Sequence, residues 1–553
     1  MACPLLRPFM RNALGSGGMK CETARRPAIS GDVAALAASA PAGGDVDQRG
    51  GLDAAPKSER QRPSYDYFAE WWPVAFTADL DKEQLHRFML LGQPLVIWWD
   101  AAGAGGGAWR AFLDVCPHRL VPLSEGRVNS AGRLECPYHG WEFSGQGNCE
   151  RIPQGLLFVR PKTAAAGGPA DETRIQIVRQ LEDPEWVSQD TFRDVPYDWS
   201  TLLENVLDAS HVPFTHHKSI SNRAVVGDYV TKLTEPVTAA GFSGVWPSGP
   251  RAGALGPQYG EFRAPGFMQQ TIDMIKTRGA ESLVVVYAVP SSPGKCRLIN
   301  RNAFKFHKSK LPGAIMRMVP GWLVHVGTQI PLEDDQIFLH YGEEAYVKAR
   351  AQGLSVGKAY YMPSQADTYV TAFRRWLDDF GGGGPWGPPD AAYLSRLEPR
   401  LPREALLDRY TGHVQSCAQC QRALKQVKTG RSVLRVVSGA LAAGALLAAA
   451  VAVCVAAAAG GGGGSAAATG ASSATLSRLG AAALAAAGWV AGAGLQTGAA
   501  AAAAAGGGAM LRALVLGLAA LLTWRVSEGV LGGLEHKLLR GDYPPPRNTD
   551  KSN

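Results

Sequence analysis

The sequence has 553 residues, enough for roughly two to four domains, and its 46% hydrophobic content allows large buried cores. The formal net charge of +8 is modest and no lysine-rich or arginine-rich block stands out, so nucleic acid is not expected as a partner. Nine cysteines are spread along the chain, and two of their tightest groupings include histidines, which favours metal chemistry in a reducing compartment over a disulfide framework.

Residues 1–62 have the composition of a transit peptide followed by a linker. No acidic residue occurs from Met1 to Lys20, and a basic segment that lacks acids suits an organelle import machinery. The stretch from Ala35 to Arg62 is rich in Gly, Ala, Pro and Asp and is typical of a linker. The alternative interpretation is a disordered tail with no targeting role.

Residues 63–165 predict a small all-β domain. The segment "QPLVIWWD" predicts a buried strand, and from Trp109 to Pro153 short strand-like pieces are separated by Gly, Pro and Asn turns. Two loops of this domain carry the pairs "CPH" and "CPYH", which place Cys116 with His118 and Cys136 with His139. Two thiolates suit one iron of a two-iron, two-sulfur cluster and two imidazoles suit the other, which is the donor set of a Rieske centre. The alternatives are a structural zinc site and unligated core residues.

Electron-carrier proteins with such a cluster resemble this pattern but have an additional cysteine in each loop. Val121 and Tyr138 stand at the corresponding positions here, so the bracing disulfide of those carriers cannot form. The sequence therefore predicts the oxygenase type of Rieske protein, which needs a second metal centre.

Residues 170–410 mix strand-like and helical segments and predict a larger α+β domain. "SLVVVYAVP" and "QIFLHY" are predicted as strands, and "SQADTYVTAFRRWLDDF" as an amphipathic helix. A further helix is predicted from Asp198 to about His211, ending before Pro213.

The end of that predicted helix carries candidate ligands for a mononuclear iron. Asn205, Asp208 and His211 recur every three residues and therefore share one helical face, and His216 follows the turn at Pro213. His211 and His216 are candidate iron ligands, because an oxygen-activating iron is held by two histidines and one carboxylate. His217 could replace His216 or form a hydrogen bond beside it. Without a metal, such histidines would be capping or core residues.

The third ligand is less tightly defined by the sequence. Five acidic residues surround the predicted strand "QIFLHY", and Glu343 is favoured because it follows the end of that strand and could turn inward. Asp208 is interpreted as a hydrogen-bonded bridge that carries an electron between the two metal centres. The five acidic candidates are Glu333, Asp334, Asp335, Glu343 and Glu344.

The C-terminal part predicts a membrane anchor. A Cys-x-x-Cys pair, Cys417 and Cys420, lies in a segment spanning residues 411–430. The anchor, residues 431–530, contains an uncharged run from Val436 to Ala459 and a second helix predicted from near Ala500 to Trp524. Residues 531–553 form a polar tail. The alternative for the second helix is a loose Ala/Gly insert followed by an interfacial helix.

Several motifs together resemble the pheophorbide a oxygenase family of chloroplast Rieske-type oxygenases. They are "CPHRLVPLSEGR", "CPYHGWEF", "YDWSTLLENVLDASHVPFTHH", "YYMPSQADTYVTAFRRWL" and "DRYTGHVQSCAQC". The resemblance implies an all-β Rieske domain followed by a helix-grip catalytic domain, C-terminal transmembrane helices, plastid import, reduced ferredoxin as electron donor and a homotrimer. It also implies thioredoxin regulation of Cys417 and Cys420; zinc binding and a purely structural role are the alternatives for this pair. The chain departs from the family in its long Ala/Gly insertion and in "HYGE".

The resulting hypothesis is an oxygenase with a Rieske cluster and a mononuclear Fe(II), which uses O2 to oxygenate a tetrapyrrole at a thylakoid or inner envelope membrane. Pheophorbide a is the favoured substrate. The alternatives are protochlorophyllide, chlorophyllide or a phyllobilin as substrate, or a redox-sensing role in plastid protein import.

Overall fold

A computed structural model describes residues 65–101, 107–116, 120–130, 132–143, 155–161, 171–460 and 499–542. The side chains of residues 172, 459–460 and 499–505 are outside this description. The expected transit peptide and linker, residues 1–62, and the expected ligand His118 also lie outside the described residues. The chain divides into two compact units, Met1–Gln421 with Arg540–Asn553, and Arg422–Leu539.

The N-terminal domain is built of short antiparallel strands, as the alternation of apolar segments and turn residues predicts. β1 pairs with β8, β2 to β4 form one three-stranded sheet, and β5 to β7 form another. The prediction of a strand at "QPLVIWWD" is confirmed by β3. The strands are β1 (Trp72–Phe76), β2 (His86–Leu90), β3 (Gln93–Asp100), β4 (Ala108–Leu113), β5 (Arg127–Val128), β6 (Leu134–Glu135), β7 (Glu142–Phe143) and β8 (Leu156–Val159).

The catalytic domain contains a seven-stranded antiparallel sheet. Its order is β10-β11-β12-β13-β14-β15-β9, so the first strand in sequence pairs with the last. The predicted strand at "SLVVVYAVP" is confirmed by β14, whose side chains are buried along most of its length. The strands are β9 (Trp186–Val195), β10 (Lys232–Thr238), β11 (Gly241–Trp246), β12 (Gln258–Arg263), β13 (Phe267–Met274), β14 (Ala280–Ser292) and β15 (Lys295–Phe306).

Helices of the first unit pack around this sheet, and together they form the α+β arrangement that the sequence predicted. The long helix α5 packs on β9, α1 packs on β14 and α7 packs on β10 and β11. The helices are α1 (Trp199–Leu207), α2 (Val212–Thr215), α3 (Ile275–Arg278), α4 (Leu311–Met318), α5 (Gly321–Ala351), α6 (Val356–Ala359), α7 (Thr368–Asp379), α8 (Ala391–Leu394), α9 (Arg403–Leu406) and α10 (Arg409–Gly412).

Three segments predicted from the sequence lie in or next to these helices. The amphipathic helix in "SQADTYVTAFRRWLDDF" is confirmed by α7, whose Phe373 and Trp376 are fully buried. The strand predicted at "QIFLHY" is wrong, because this segment lies inside α5. The helix expected to reach His211 ends at Leu207, because Asp208 has an extended backbone with φ −84° and ψ 105°. Pro213 is the second residue of α2 and does not end α1, since proline is compatible with the first turn of a helix.

Aromatic side chains hold α7 against the sheet. The ring of Phe262 on β12 makes edge contacts with Phe373 at 5.2 Å and with Trp376 at 5.1 Å between centroids. Such edge-to-face pairs contribute about 0.5–1.5 kcal/mol beyond the burial of their surface. The indole of Trp376 also donates a hydrogen bond to the carbonyl oxygen of Ala239. The helix therefore has a defined position on the sheet.

The second unit consists of apolar helices. Among the described residues, two helices are long and apolar enough to cross a membrane by length and composition, Ala418–Ala458 and Gly506–Leu539. The helix expected near Ala500 to Trp524 is present as α12. Within this unit the Ser438 hydroxyl donates to the carbonyl oxygen of Ala520. The elements are α11 (Ala418–Gly460), which begins in the first unit, α12 (Ala499–Arg525), a π-helical turn (Val526–Leu531) and α13 (Gly532–Leu539).

Candidate functional site

The two cysteine loops of the N-terminal domain have the same hydrogen-bond pattern. The backbone N–H of Cys116 donates to the carbonyl of Val121, five residues on, and the Cys116 carbonyl accepts from Leu120, four residues on. Cys136 is bonded in the same way to Trp141 and Gly140. Leu120 and Gly140 both adopt positive φ, at 59° and 68°. The two loops are thus equivalent turns, as the paired motifs predicted.

Both cysteines belong to the hydrophobic core, whereas the loop tips face outwards. Cys116 and Cys136 are 1% and 2% exposed, and they pack in one cluster with Trp98, Leu123 and other apolar residues. His139 is exposed, and its ring lies 4.0 Å from that of Tyr138. Two buried thiols and a histidine on equivalent turns fit the donor set of a Rieske cluster, for which His118 would be the fourth ligand.

The catalytic domain brings two predicted histidines together with a carboxylate. The Nε2 atoms of His211 and His216 lie 3.7 Å and 3.2 Å from Oδ2 of Asp335. One ligand atom from each of the three residues lies within 4.8 Å of the others. His211 precedes α2, His216 follows it, and Asp335 projects from α5. Two imidazoles and one carboxylate are the donors of the facial triad that holds Fe(II) in oxygenases, so this set fits that metal.

Further acidic groups orient the two histidines. Nδ1 of His216 lies 3.2 Å from Oδ2 of Asp334, which also accepts a hydrogen bond from the Ser219 hydroxyl. Nδ1 of His211 lies 3.6 Å from Oδ2 of Asp208. Such carboxylates fix the tautomer and orientation of a ligand imidazole, leaving the other nitrogen for the metal. The predicted residue Asn205 places Nδ2 3.4 Å from Nε2 of His211.

The choice between His216 and His217 follows from their hydrogen bonds. Nδ1 of His217 accepts from the backbone N–H of Arg223, whereas both ring nitrogens of His216 face Asp334 and Asp335. The structure therefore brings His216, and not His217, to the candidate metal site.

The charges of His211, His216 and Asp335 compensate one another. Burial lowers the pKa of His211, but hydrogen bonds and attraction from Asp208 and Asp335 outweigh it and raise this pKa to about 10. Burial raises the pKa of Asp335, but hydrogen bonds and charges from His211 and His216 outweigh it and lower this pKa to about 2. Ionised Asp335 thus supplies the negative charge that a bound cation requires.

The prediction of Glu343 as the third ligand is corrected by this geometry. Glu343 is also on α5 but eight residues after Asp335, which separates the two by about 12 Å along the helix axis. The buried Glu343 carboxylate instead accepts hydrogen bonds from the backbone N–H of Asp198. Asp335 therefore replaces it in the candidate triad.

A cavity of about 700 Å³ adjoins the triad. Most of its wall is apolar, with Val286 and Leu298 from the sheet and Leu323 from α5 among the lining residues. Two buried amide oxygens in this wall, on Gln258 and Asn300, have no hydrogen-bond partner among the described residues. A volume of this size is in the range of about 300–1,000 Å³ that is usual for small-molecule sites.

Comparisons with known proteins agree with this two-centre arrangement. A Rieske [2Fe-2S] domain model matches residues 70–156, and a pheophorbide a oxygenase model matches residues 262–352. The chain is 32% identical over 443 residues to the chloroplastic pheophorbide a oxygenase of Oryza sativa subsp. japonica, which covers 73% of this chain and 81% of the relative. The chain belongs to the pheophorbide a oxygenase family. It is therefore a Rieske-type non-haem iron oxygenase.

Relatives with other names have similar identity to this chain. The chain is 30% identical over 431 residues to the chloroplastic flavonoid 8-hydroxylase 2 of Ocimum basilicum, covering 70% of this chain and 79% of the relative. It is 29% identical over 440 residues to the chloroplastic protochlorophyllide-dependent translocon component 52 of Arabidopsis thaliana, covering 67% and 76%. These three relatives are all named as chloroplastic proteins and differ in their named roles.

The residue that sequence reasoning missed in this family member is Asp335. The signal that the sequence offered is helical spacing: Thr328, Leu332 and Asp335 follow at intervals of four and three residues and so share one face of α5, and in the structure all three line the cavity. Because "QIFLHY" was predicted as a strand, this helical spacing was not considered. Glu343, an acid that follows the end of the segment, was favoured instead.

Proposed function

We propose that this protein is a ferredoxin-dependent monooxygenase that oxygenates a tetrapyrrole, with pheophorbide a of chlorophyll breakdown as the favoured substrate. The observation that carries the proposal is the position of His211, His216 and Asp335 in the wall of a large, mostly apolar cavity. Family membership supports a Rieske oxygenase, and the named activity of the rice relative supports the substrate.

The chain's own residues provide the two metal centres. Cys116, Cys136 and His139, with His118, would hold the cluster. His211, His216 and Asp335 would hold a mononuclear Fe(II), which supplies reductive activation of O2 in this class of enzyme when it is bound. Asp334 and Asp208 keep the imidazoles oriented for these roles, and Asn205 adds a polar contact beside His211.

Electron delivery would pass through Asp208. This carboxylate faces His211, and its Oδ1 atom accepts hydrogen bonds from the backbone N–H and the hydroxyl of Ser210. These bonds hold Asp208 beside His211. In that position it would link the mononuclear site to the cluster of a neighbouring subunit. Ferredoxin would reduce the cluster, and a homotrimer would bring the cluster of one subunit to the iron of its neighbour.

The cavity has the character that a large macrocyclic substrate requires. Its apolar wall would cover the faces of a tetrapyrrole and exclude water from the reacting position. The amide groups of Gln258 and Asn300 would meet polar atoms at the edge of the substrate. Gln258 is held in place, since its Nε2 donates to Oε1 of Gln270 at 2.7 Å, and Gln270 in turn donates to the carbonyl of Val206.

The proposed location is a chloroplast membrane, either the thylakoid or the inner envelope. Residues 1–62 would serve as the transit peptide, and the two apolar helices would anchor the chain where an apolar pigment partitions. The chloroplastic relatives support the organelle.

Oxygen incorporation tests this function. The full chain, reconstituted in lipid and supplied with reduced ferredoxin and ¹⁸O₂, would be offered pheophorbide a, chlorophyllide a, protochlorophyllide, a phyllobilin and a flavone. Mass analysis is expected to find labelled oxygen in pheophorbide a. Label only in the flavone would overturn the substrate class, and label in no compound would favour the alternative of a redox-sensing role in plastid protein import.

A further inference from the structure

Among the described residues, a second group of side chains of the types that ligate metals lies in the first unit, apart from the candidate iron triad and the two cysteine loops. It consists of His325 on α5, His413 directly after α10, Cys417, and Cys420 in the first turn of α11. One ligand atom from each residue lies within 4.8 Å of the others, and all four residues are buried. We propose that these two histidines and two cysteines bind a zinc ion as a closed, structural site.

The distances within the group match the edges of a zinc tetrahedron. With zinc–sulfur bonds of about 2.3 Å and zinc–nitrogen bonds of about 2.0–2.1 Å, tetrahedral geometry requires about 3.3 Å between nitrogens and about 3.6 Å between nitrogen and sulfur. Nε2 of His413 lies 3.2 Å from Nδ1 of His325. Nδ1 of His325 lies 3.6 Å from Sγ of Cys417 and 3.3 Å from Sγ of Cys420. Nε2 of His413 lies 3.4 Å from Sγ of Cys420.

A hydrogen bond orients one of the imidazoles for metal binding. Nδ1 of His413 lies 2.8 Å from the carbonyl oxygen of Phe192, an acceptor, so this nitrogen carries the proton. Nε2 of neutral His413 therefore presents its lone pair to the group. The same ring packs against the side chain of Phe192 with 4.4 Å between centroids. This backbone partner is the kind of contact that fixes the tautomer of a metal-bound histidine.

Burial argues against the expected thioredoxin-regulated disulfide. Cys417 and Cys420 are 0% and 1% exposed. Thiol–disulfide exchange requires an attacking thiolate to reach one of the sulfur atoms, and neither is accessible in this fold. A Cys-x-x-Cys pair has the cysteine spacing of structural zinc sites, and the fold adds two histidines from distant positions to complete a Cys2His2 donor set.

Proton balance is simple for this site. Two thiols lose their protons when they bind the ion, while two neutral imidazoles contribute no charge, so the ligands and Zn²⁺ sum to zero. Sγ of Cys417 also lies 3.1 Å from Oδ1 of Asp79, which accepts a hydrogen bond from Nε2 of Gln419. Metal binding replaces the contact of the Cys417 thiol with Asp79 and leaves that of Gln419.

The zinc site would fix the position of α5, the helix that carries the candidate iron ligand Asp335. His325 precedes Asp335 on α5 by ten residues, about 15 Å along the axis. His413, Cys417 and Cys420 belong to the segment that leads into α11. Zinc would therefore tie this segment to α5 within the first unit. Because structural zinc contributes directly to folding free energy, its removal should lower the melting temperature of the first unit.

Zinc analysis of the full chain in detergent, prepared without chelators, tests the proposal independently of activity. About one zinc per chain is expected, and absorption at the zinc edge should show sulfur and nitrogen neighbours in about equal numbers at about 2.3 Å and 2.0 Å. Cys420→Ser and His413→Ala should lose the zinc and keep the iron of both oxygenase centres. The matched control Cys296→Ala, at a buried cysteine outside the group, should keep the zinc.

Several results would overturn the zinc site. They are a wild-type chain without zinc, zinc with only oxygen or nitrogen neighbours, zinc that persists in Cys420→Ser, or a Cys417–Cys420 disulfide in freshly prepared protein. The edge spectrum of the wild-type chain decides the question even where a variant fails to fold.

Discussion

Oδ2 of Asp335 lies 3.2 Å from Nε2 of His216, although six strands of the catalytic sheet separate the two residues in the sequence. The fold therefore assembles the triad from the segment between β9 and β10 and from α5, which follows β15. This arrangement makes α5 the element whose position controls the mononuclear iron.

Replacing Asp335 by alanine should remove the mononuclear iron. The two histidines alone leave the ion without its carboxylate, so iron content should fall from about three to about two per chain while the cluster spectrum persists. Oxygen incorporation should fall to background. The matched variant Glu343→Gln changes an acid two turns further along the same helix and should retain all the iron. Loss of iron from Glu343→Gln but not from Asp335→Ala would restore the original ligand prediction.

Replacing Asp208 by asparagine should slow electron transfer without removing either metal centre. The change removes the negative charge 3.6 Å from Nδ1 of His211 and preserves the size of the side chain. Loss of such an orienting carboxylate typically costs about 10–100-fold in activity. Stopped-flow reoxidation of the reduced cluster, with O2 and substrate present, measures the rate. Asp379→Asn, which alters a partly exposed acid paired with Arg375, is the control, and equal rates in the two variants would remove Asp208 from the electron path.

The two Rieske loops could be predicted from the sequence because each motif lies within a few consecutive residues. Each loop has a cysteine, a histidine and a turn within a few residues. The matching hydrogen bonds of Cys116 and Cys136 follow from that repeated motif. The strand β3 and the helix α7 were predictable for the same reason, since their apolar periodicity is contained in one segment.

The third iron ligand could not be found by the same reasoning. Glu333, Asp334 and Asp335 are all buried on α5, and their partners Arg193, Arg409 and His216 come from distant parts of the chain. A run of acids beside a short apolar segment is typical of an exposed edge when those partners are unknown. Contacts with distant parts of the chain therefore determine that this segment is helical and that Asp335 is the acid beside the two histidines.

The pH dependence of stability should change when Glu343 becomes glutamine. Burial, followed by repulsion from Asp198, raises the pKa of Glu343 well above its usual value of 4.5, although the Asp198 N–H and the charge of Arg374 act in the opposite direction. The folded chain then holds a proton that the unfolded chain releases above about pH 4.5, so this residue's contribution falls as pH rises towards the folded pKa. Thermal melts from about pH 5 to pH 8 should therefore show a growing advantage for Glu343→Gln over wild type.

Glu344→Gln provides the control for that series. Glu344 is the next residue, but it pairs with Lys348 on the outer side of α5, and this contact lowers its pKa. Its replacement should leave the slope of melting temperature against pH between 5 and 8 unchanged. A Glu343→Gln slope equal to that of wild type would show that Glu343 is already ionised in the fold.

Glu333 should be among the most sensitive positions for stability in the first unit. Its carboxylate contacts Nη1 of Arg193 at 2.9 Å and Nε of Arg409 at 2.6 Å, and all three side chains are at most 5% exposed. Removing one partner of a buried ion pair leaves an uncompensated charge and typically costs about 3–5 kcal/mol. Glu333→Ala should therefore lower the melting temperature by on the order of 10 °C. Asp379→Ala, which breaks an exposed pair with Arg375, should cost at most about 1 kcal/mol, and equal shifts in the two variants would mean that the buried network contributes no more than a surface contact.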